Sequence, residues 1–389
     1  MQTYSMLALG VVAALLLALL SIVTLRRRTR AGQATEFERC FDAALRRFDV
    51  ELDAFKFAPQ SAVKILLNHD HVISAAIEDR ARETGLSREE LRLKVHRYLE
   101  EIVPFFKPLM YYSFGYYIAH YLLNFAYRID YSQEELDRIK KACAEKNGSV
   151  IYVINHRSNF DFVLLPYVLK DNVALSFAVG EWARVWPLDY IFKSFGSYFL
   201  RRGYREPLYH TVLRRYVQVV TKNGVTQAMF PEGGLSRDGY LRSPKIGLLD
   251  SILCSKEDRS FKRDILFVPV AINYDRVLED RVLVGEVTDG APADDKAGMA
   301  QRVFRILFGN LGKFYRREIR KNGIASVRFG EPVSFEDWHA EREVDIFSLP
   351  KYERRVQISN FVDVLFERIG SLVAATPLCV VARVLVDET

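Results

Sequence analysis

The sequence predicts an α/β protein with a mostly parallel sheet and helices on both faces, preceded by an N-terminal membrane anchor and an α-helical region. Three observations predict it. After Gly148, short and nearly continuous apolar strands alternate with helical segments, the pattern of a parallel sheet buried on both faces. From about Glu36 to Glu145 the pattern is helical throughout. Ahead of both, Met6 to Leu25 is an uncharged run followed at once by Arg26, Arg27, Arg28 and Arg30. With 389 residues, two or three folding units are expected, and the mix of 49% apolar and 27% charged residues excludes wholesale disorder.

The first element is the anchor at 6–25. About 20 apolar residues are what a helix needs to cross a bilayer core. The five leading residues carry no Lys or Arg, and arginines stand where a signal peptide would be cut, so an uncleaved anchor is the better reading than a leader. A buried core helix is the alternative. The arginines place the remainder of the chain on the cytoplasmic side.

In the helical region, 36–145, Ser87 and Glu90 form a capping box. Leu91, Val95, Tyr98, Ile102 and Phe105 follow at three- and four-residue steps. A second uncharged stretch, Pro108 to Tyr127, carries six tyrosines with His120 and Asn124. It is either a helix half-sunk in a membrane interface or lining an apolar groove, or an ordinary buried helix. The α/β domain, 146–340, has strands at 149–155, 173–179, 197–200, 225–230, 265–273 and 325–330. Its helices include Pro207 to Lys222, with Pro at the first turn, a segment opening near Gly247, and a basic stretch ahead of Ala325. The segment 341–389 reads as helical, with Pro377 breaking its last apolar stretch.

Four scattered cysteines, Cys40, Cys143, Cys254 and Cys379, exclude a zinc ribbon or a disulfide framework and fit a reducing compartment. Lys and Arg exceed Asp and Glu by 55 to 49, a mild surplus that suits an anionic small substrate or membrane surface better than a nucleic acid.

The sharpest chemical signal is Asn155-His156-Arg157-Ser158-Asn159-Phe160-Asp161, directly after an apolar strand. Histidine is suited to take a proton near neutral pH, and a carboxylate can hold its second ring nitrogen. Five residues along one helix would turn the two side chains about 140° apart, so a turn between strand and helix must bring them together. The alternative is Asp161 as a helix-start acid and His156 as a loop residue. In Phe230-Pro-Glu-Gly-Gly-Leu-Ser-Arg237, the glycines Gly233 and Gly234 permit close backbone approach to a phosphate and Arg237 adds a bidentate grip; a surface turn is the alternative. Gly196 to Arg202 ends a strand with Arg201 and Arg202, of which one can reach a given site; a solvated strand end is the alternative. A nucleophile elbow fails at Asp238, a Walker loop is absent, and His69-Asp70-His71 reads as an exposed helix turn.

Four motifs in order, NHRSNFD (155–161), GSYFLRR (196–202), FPEGGLSR (230–237) and VPVAINYDRV (268–277), resemble the glycerolipid acyltransferase superfamily. The double arginine and the INYDRV ending are most like its membrane-bound glycerol-3-phosphate acyltransferases. The resemblance implies that His156 is the base on the acceptor hydroxyl, with Asp161 as its partner. It implies that Arg201 or Arg202, with Arg237, holds the acceptor phosphate, while Glu232, Gly233, Gly234 and Ser236 shape the pocket. No metal and no bound cofactor is implied; acyl-CoA or acyl carrier protein is a co-substrate, and membrane lipids are partners. The implied reaction acylates the sn-1 hydroxyl of glycerol 3-phosphate in phospholipid synthesis. The rival readings are acylation of lysophosphatidate or another lysophospholipid, and a non-catalytic lipid-binding protein. Leu235 stands where the family usually has arginine, which removes one phosphate contact unless Lys245, Arg242 or Arg205 substitutes.

Overall fold

The computed structural model describes residues 54–108, 110–169, 175–280, 283, 321–342 and 344–387. The expected anchor at 6–25 and the basic stretch ahead of Ala325 lie outside the described residues. Among those described, no single helix is long and apolar enough to cross a membrane.

Capping chemistry sets the first helices. Helix α1 (Gln60–Asn68) ends at His69, and the Asp70 side chain starts α2 (His71–Thr84) by accepting the Val72 and Ile73 amides. Gly85 closes α2 at φ +71°, a conformation that costs glycine little. Ser87 and Glu90 form the expected capping box on α3 (Arg88–Ile102), whose Leu91, Val95, Leu99 and Ile102 are buried in the core. The uncharged stretch becomes a π-helical segment, Met110–Gly115, and then α4 (Tyr116–Ala126). One stripe of α4 (Ala119, Leu123, Ala126) is buried, while Tyr117, Ile118 and Tyr121 are exposed. The stretch is therefore amphipathic, half in and half out.

The expectation of helix throughout this region fails at β1 (Arg128–Asp130), which pairs in parallel with residues 324–326. Three residues are too few to show a strand period, and the partner lies far along the chain. Helix α5 (Gln133–Lys146) follows, capped by Ser132.

Alternation then takes over, as expected. The elements are β2 (Ser149–Ile154), α6 (Asp161–Val168), β3 (Ser176–Gly180), α7 (Leu188–Ser194), β4 (Tyr198–Leu200), α8 (Pro207–Lys222), β5 (Gln227–Met229), α9 (Gly247–Leu253) and β6 (Ile265–Tyr274). After them come β7 (Ile324–Phe329), β8 (Val333–Ser334), α10 (Phe335–Ala340), α11 (Lys351–Leu372) and α12 (Pro377–Asp387). Pro377 opens the last helix, where its missing amide proton costs nothing. The strand order is β1-β7-β6-β2-β5-β3-β4, with β8 on β6. Strands β2 to β6 run parallel; β7 and β8 are antiparallel to β6.

Both faces of the sheet are covered. Ile265, Phe267 and Ala271 of β6 join the core with α8, α9 and α11, and the alternate residues Leu266, Val268 and Val270 are equally buried on the other side. His69-Asp70-His71 is more than an exposed turn: the histidines are exposed, but Asp70 makes a bidentate pair with Arg215 of α8, Nε to Oδ1 at 3.1 Å and Nη2 to Oδ2 at 2.7 Å. That pair ties α2 to α8, a helix covering the sheet. The Arg215 guanidinium also helps hold the Asp70 carboxyl below its ordinary range, against the opposing effect of burial.

Helix α11 is fastened to β6 by Phe361, whose ring packs on Phe267, Phe335 and Trp338 at centroid distances of 5.1, 5.6 and 4.8 Å. Phe361→Ala should cost about 3–5 kcal/mol of stability, read as a lowered midpoint in urea unfolding.

Candidate active site

Because β6, β2, β5, β3 and β4 are parallel neighbours, their carboxyl ends share one edge of the sheet, the usual ligand side of such sheets. Each of the four sequence motifs leaves one of these strand ends. The fifth strand end, that of β3, delivers Glu181 to Arg184.

Asn155 ends β2 by imitating a peptide group. Its side-chain amide donates to Ile272 O at 3.0 Å and accepts Ile272 N at 2.7 Å, which extends the ladder to β6 by one rung. The next five amides are then all taken by side chains. Glu232 accepts His156 N, Asp161 accepts Arg157 N and Ser158 N, and a second carboxylate, Glu279, accepts Asn159 N. Phe160 N donates to the Ser158 hydroxyl. The turn so made brings the His156 Nδ1 to 2.9 Å from Asp161 Oδ2. The carboxylate accepts there, so Nδ1 carries the proton and Nε2 carries the lone pair.

Asp161 is fully buried, and its Oδ1 accepts the Tyr274 hydroxyl at 2.7 Å. Burial and the negative Asp161 push the Tyr274 phenol well up, so it remains a donor. The imidazole is 4% exposed, stacked on Phe230 at 4.1 Å and met edge-on by Phe162 at 5.5 Å.

The other motif residues fall into place around this pair. Glu232 is buried and spends its second oxygen on Arg242 N. Burial raises its carboxyl pKa while the two backbone donors oppose the rise. Ser236 N donates to His156 O and Ser236 Oγ to Tyr240 O, so Ser236 straps the two loops together. Gly233 sits at φ +66°, and a Cβ there would stand 2.9 Å from the Lys245 chain that lies over it. Leu235 is buried; Arg242 takes the ground beside it, with Nη1 3.2 Å from Leu235 O. Arg237 and Lys245 are exposed.

Arg201 and Arg202 part company. Arg201 grips the buried Glu101 of α3 through Nε and Nη2, the latter at 2.6 Å from Glu101 Oε2, and lies over the Tyr204 ring at 4.6 Å. Arg184 shares the same carboxylate at 2.8 Å. Arg202 is exposed and lies across Gly180, where a Cβ would stand 3.0 Å from its Nε. Together they line a cleft of about 420 Å³ with Glu181, Arg184, Gly203 and Tyr204. His156 is not a wall of that cleft. Its ring neighbour Phe162 packs on Trp182, 6.0 Å away and next in sequence to the cleft residue Glu181. Among the described residues, no group of three His, Cys, Asp or Glu side chains is arranged to hold a metal ion.

An acyltransferase family model matches residues 129–273, from β1 to the end of β6. Over that segment the chain is similar to the acyltransferase family.

Similar proteins include glycerol-3-phosphate acyltransferases of Actinobacillus succinogenes (32% identical; 71% of this chain, 32% of that protein), Aeromonas hydrophila (31%; 69% and 32%) and Haemophilus influenzae (30%; 72% and 33%). The chain spans about a third of the length of the curated relatives it matches. The crystal structure of the 1-acyl-sn-glycerophosphate acyltransferase PlsC from Thermotoga maritima aligns at 15% identity and a TM-score of 0.36, over 81% of this chain and 97% of that one.

Four features were not legible in the sequence: Tyr274's bond to Asp161, Glu279, Glu101 and the Phe230 platform. Tyr274 and Phe230 stood inside quoted motifs; Glu101 and Glu279 stood in ordinary charged surroundings.

The geometry distinguishes the two arginines. Arg201→Ala leaves the buried Glu101 with Arg184 alone and should cost about 2 kcal/mol of stability. Arg202→Ala, at an exposed position, should change stability by less than about 0.5 kcal/mol; urea unfolding of both variants reads the difference.

Proposed function

We propose that this chain transfers a fatty acyl group from an acyl thioester, on coenzyme A or acyl carrier protein, to the sn-1 hydroxyl of glycerol 3-phosphate, the product being lysophosphatidate. The observation that carries the reading is the buried His156–Asp161 pair at the carboxyl edge of the parallel sheet, beside an arginine-lined cleft. The name shared by the relatives supports the acceptor. His156 Nε2 takes the proton of the attacking hydroxyl, and the Asp161 carboxylate stabilises the imidazolium that forms. The new ester bond forms as the hydroxyl oxygen adds to the thioester carbonyl carbon, whose π electrons move onto its oxygen. Collapse breaks the carbon–sulfur bond, and the imidazolium returns its proton to the leaving thiolate.

In this reading the acceptor phosphate meets Arg202, which is exposed on the cleft wall, with Arg242 standing in for the arginine absent at Leu235. Acylation of lysophosphatidate is the second reading, favoured by the apolar, buried Leu235. Purified protein given labelled acyl-CoA and each acceptor decides between them. His156→Ala and Asp161→Asn should each lower turnover by ~10²–10⁴-fold with the fold intact. Arg202→Ala should raise the glycerol 3-phosphate KM about tenfold and leave the donor KM unchanged. Near-normal transfer by His156→Ala would end the mechanism.

The anchor belongs to the same proposal: residues 6–25 span the membrane and hold the catalytic edge at the cytoplasmic surface, where acyl chains and product reside. The exposed Tyr117, Ile118 and Tyr121 of α4 add an interfacial contact. Deleting residues 1–30 should weaken liposome flotation without abolishing it; unchanged flotation would remove the anchor from the account.

A further inference from the structure

The turn that makes the His156–Asp161 pair is held from two sides. Asp161 holds its first half through the Arg157 and Ser158 amides. Its second half is held by Glu279, a residue beyond the end of β6 and outside every motif. Glu279 is 5% exposed. It accepts the Ser158 hydroxyl at 2.8 Å on Oε2, and Asn159 N at 3.0 Å and Asn159 Nδ2 at 3.1 Å on Oε1. The Ser158 oxygen in turn accepts Phe160 N, immediately before Asp161.

The segment carrying Glu279 is itself braced. The Tyr127 hydroxyl donates to Arg276 O at 2.9 Å, and Leu283 N donates to Glu279 O at 2.9 Å. Burial pushes the Glu279 carboxyl pKa up, opposed by the Ser158 and Asn159 donors. A buried carboxylate with three protein donors, all on one turn, is an expensive way to satisfy two residues unless their placement matters.

We propose that Glu279 is a positioning residue for acyl transfer: by fixing Ser158 and Asn159 it keeps the His156 imidazole and the Asp161 carboxylate in register with the acceptor hydroxyl. It touches neither substrate. The proposal rests on His156 being the base. A base displaced by about 1 Å can lose on the order of 10²-fold in rate, so the role is in reach and shape rather than in charge.

Three variants separate these. Glu279→Gln keeps the reach: its carbonyl oxygen accepts both Asn159 donors, and its amide donates to the Ser158 oxygen. Glu279→Asp keeps the charge but withdraws the carboxylate by one carbon–carbon bond, about 1.5 Å. Glu279→Ala removes both. The measurement is kcat and both KM values per folded protein at the assay temperature, with the folded fraction taken from circular dichroism. Positioning gives kcat within about threefold of wild type for Gln, and a loss on the order of 10- to 100-fold for Asp and Ala. Both KM values should stay within about twofold, since phosphate and thioester contacts are untouched. If Ala does not fold, the Gln and Asp pair decides alone.

The proposal is overturned if Asp retains more kcat than Gln, which would make the charge the active property. It is equally overturned if Asp and Ala keep kcat within about twofold of wild type, or if every loss appears in KM or in the folded fraction. His156→Ala run in the same assay keeps the two claims apart. If it is inactive while the Glu279 variants are normal, this inference alone falls; if it is active, the site reading beneath it falls.

Discussion

Strand β2 is paired in parallel on both edges and its side chains are almost all buried, so the chain leaving it enters a place where amides cannot turn to water. Each buried amide left unpaired would cost about 1–3 kcal/mol. Five successive amides, from His156 to Phe160, are satisfied instead by side chains, four of them by carboxylates. These are the same bonds that aim the imidazole. Backbone satisfaction and the His–Asp geometry are therefore one arrangement, and the carboxyl edge of the sheet inherits its order from it.

That solution gathers negative charge behind the imidazole. Asp161 touches it directly, Glu232 holds its backbone amide, and Glu279 sits one turn further on. A proton taken up by His156 would be met by carboxylates in a dry setting, where such attractions are stronger than in water. Positive charge is gathered elsewhere: Arg184, Arg201 and Arg202 line the cleft, against Glu181 at its wall and Glu101 beneath. On the histidine's side, Phe162 packs against Trp182, Phe192 and Phe230. The His156–Asp161 pair and the arginine cluster thus lie in different electrostatic surroundings.

The Glu101 pair shows how helix and sheet depend on one another. A carboxylate on α3, 4% exposed at its side chain, is neutralised by guanidinium groups that follow β3 and β4. The helical layer and the catalytic edge are consequently fastened by charge as well as by the shared apolar core.

What the sequence determined by itself was local. The Ser87–Glu90 capping box, Pro207 at a helix start, the apolar strands and the turn forced by a five-residue His–Asp spacing all rest on neighbours within one turn or one strand, where pattern and physics coincide. The parallel sheet followed from alternation, and the motif residues stood in recognisable order. Only the tertiary structure decided the rest: that β1 exists at all, that β5 lies beside β2, that Arg201 is captured by Glu101, and that Glu279 and Tyr274 reach the His–Asp turn. Each of these joins residues from separate elements, many of them a hundred or more positions apart. No periodicity carries such contacts, because they arise only when strand order and register bring distant side chains to one edge of the sheet.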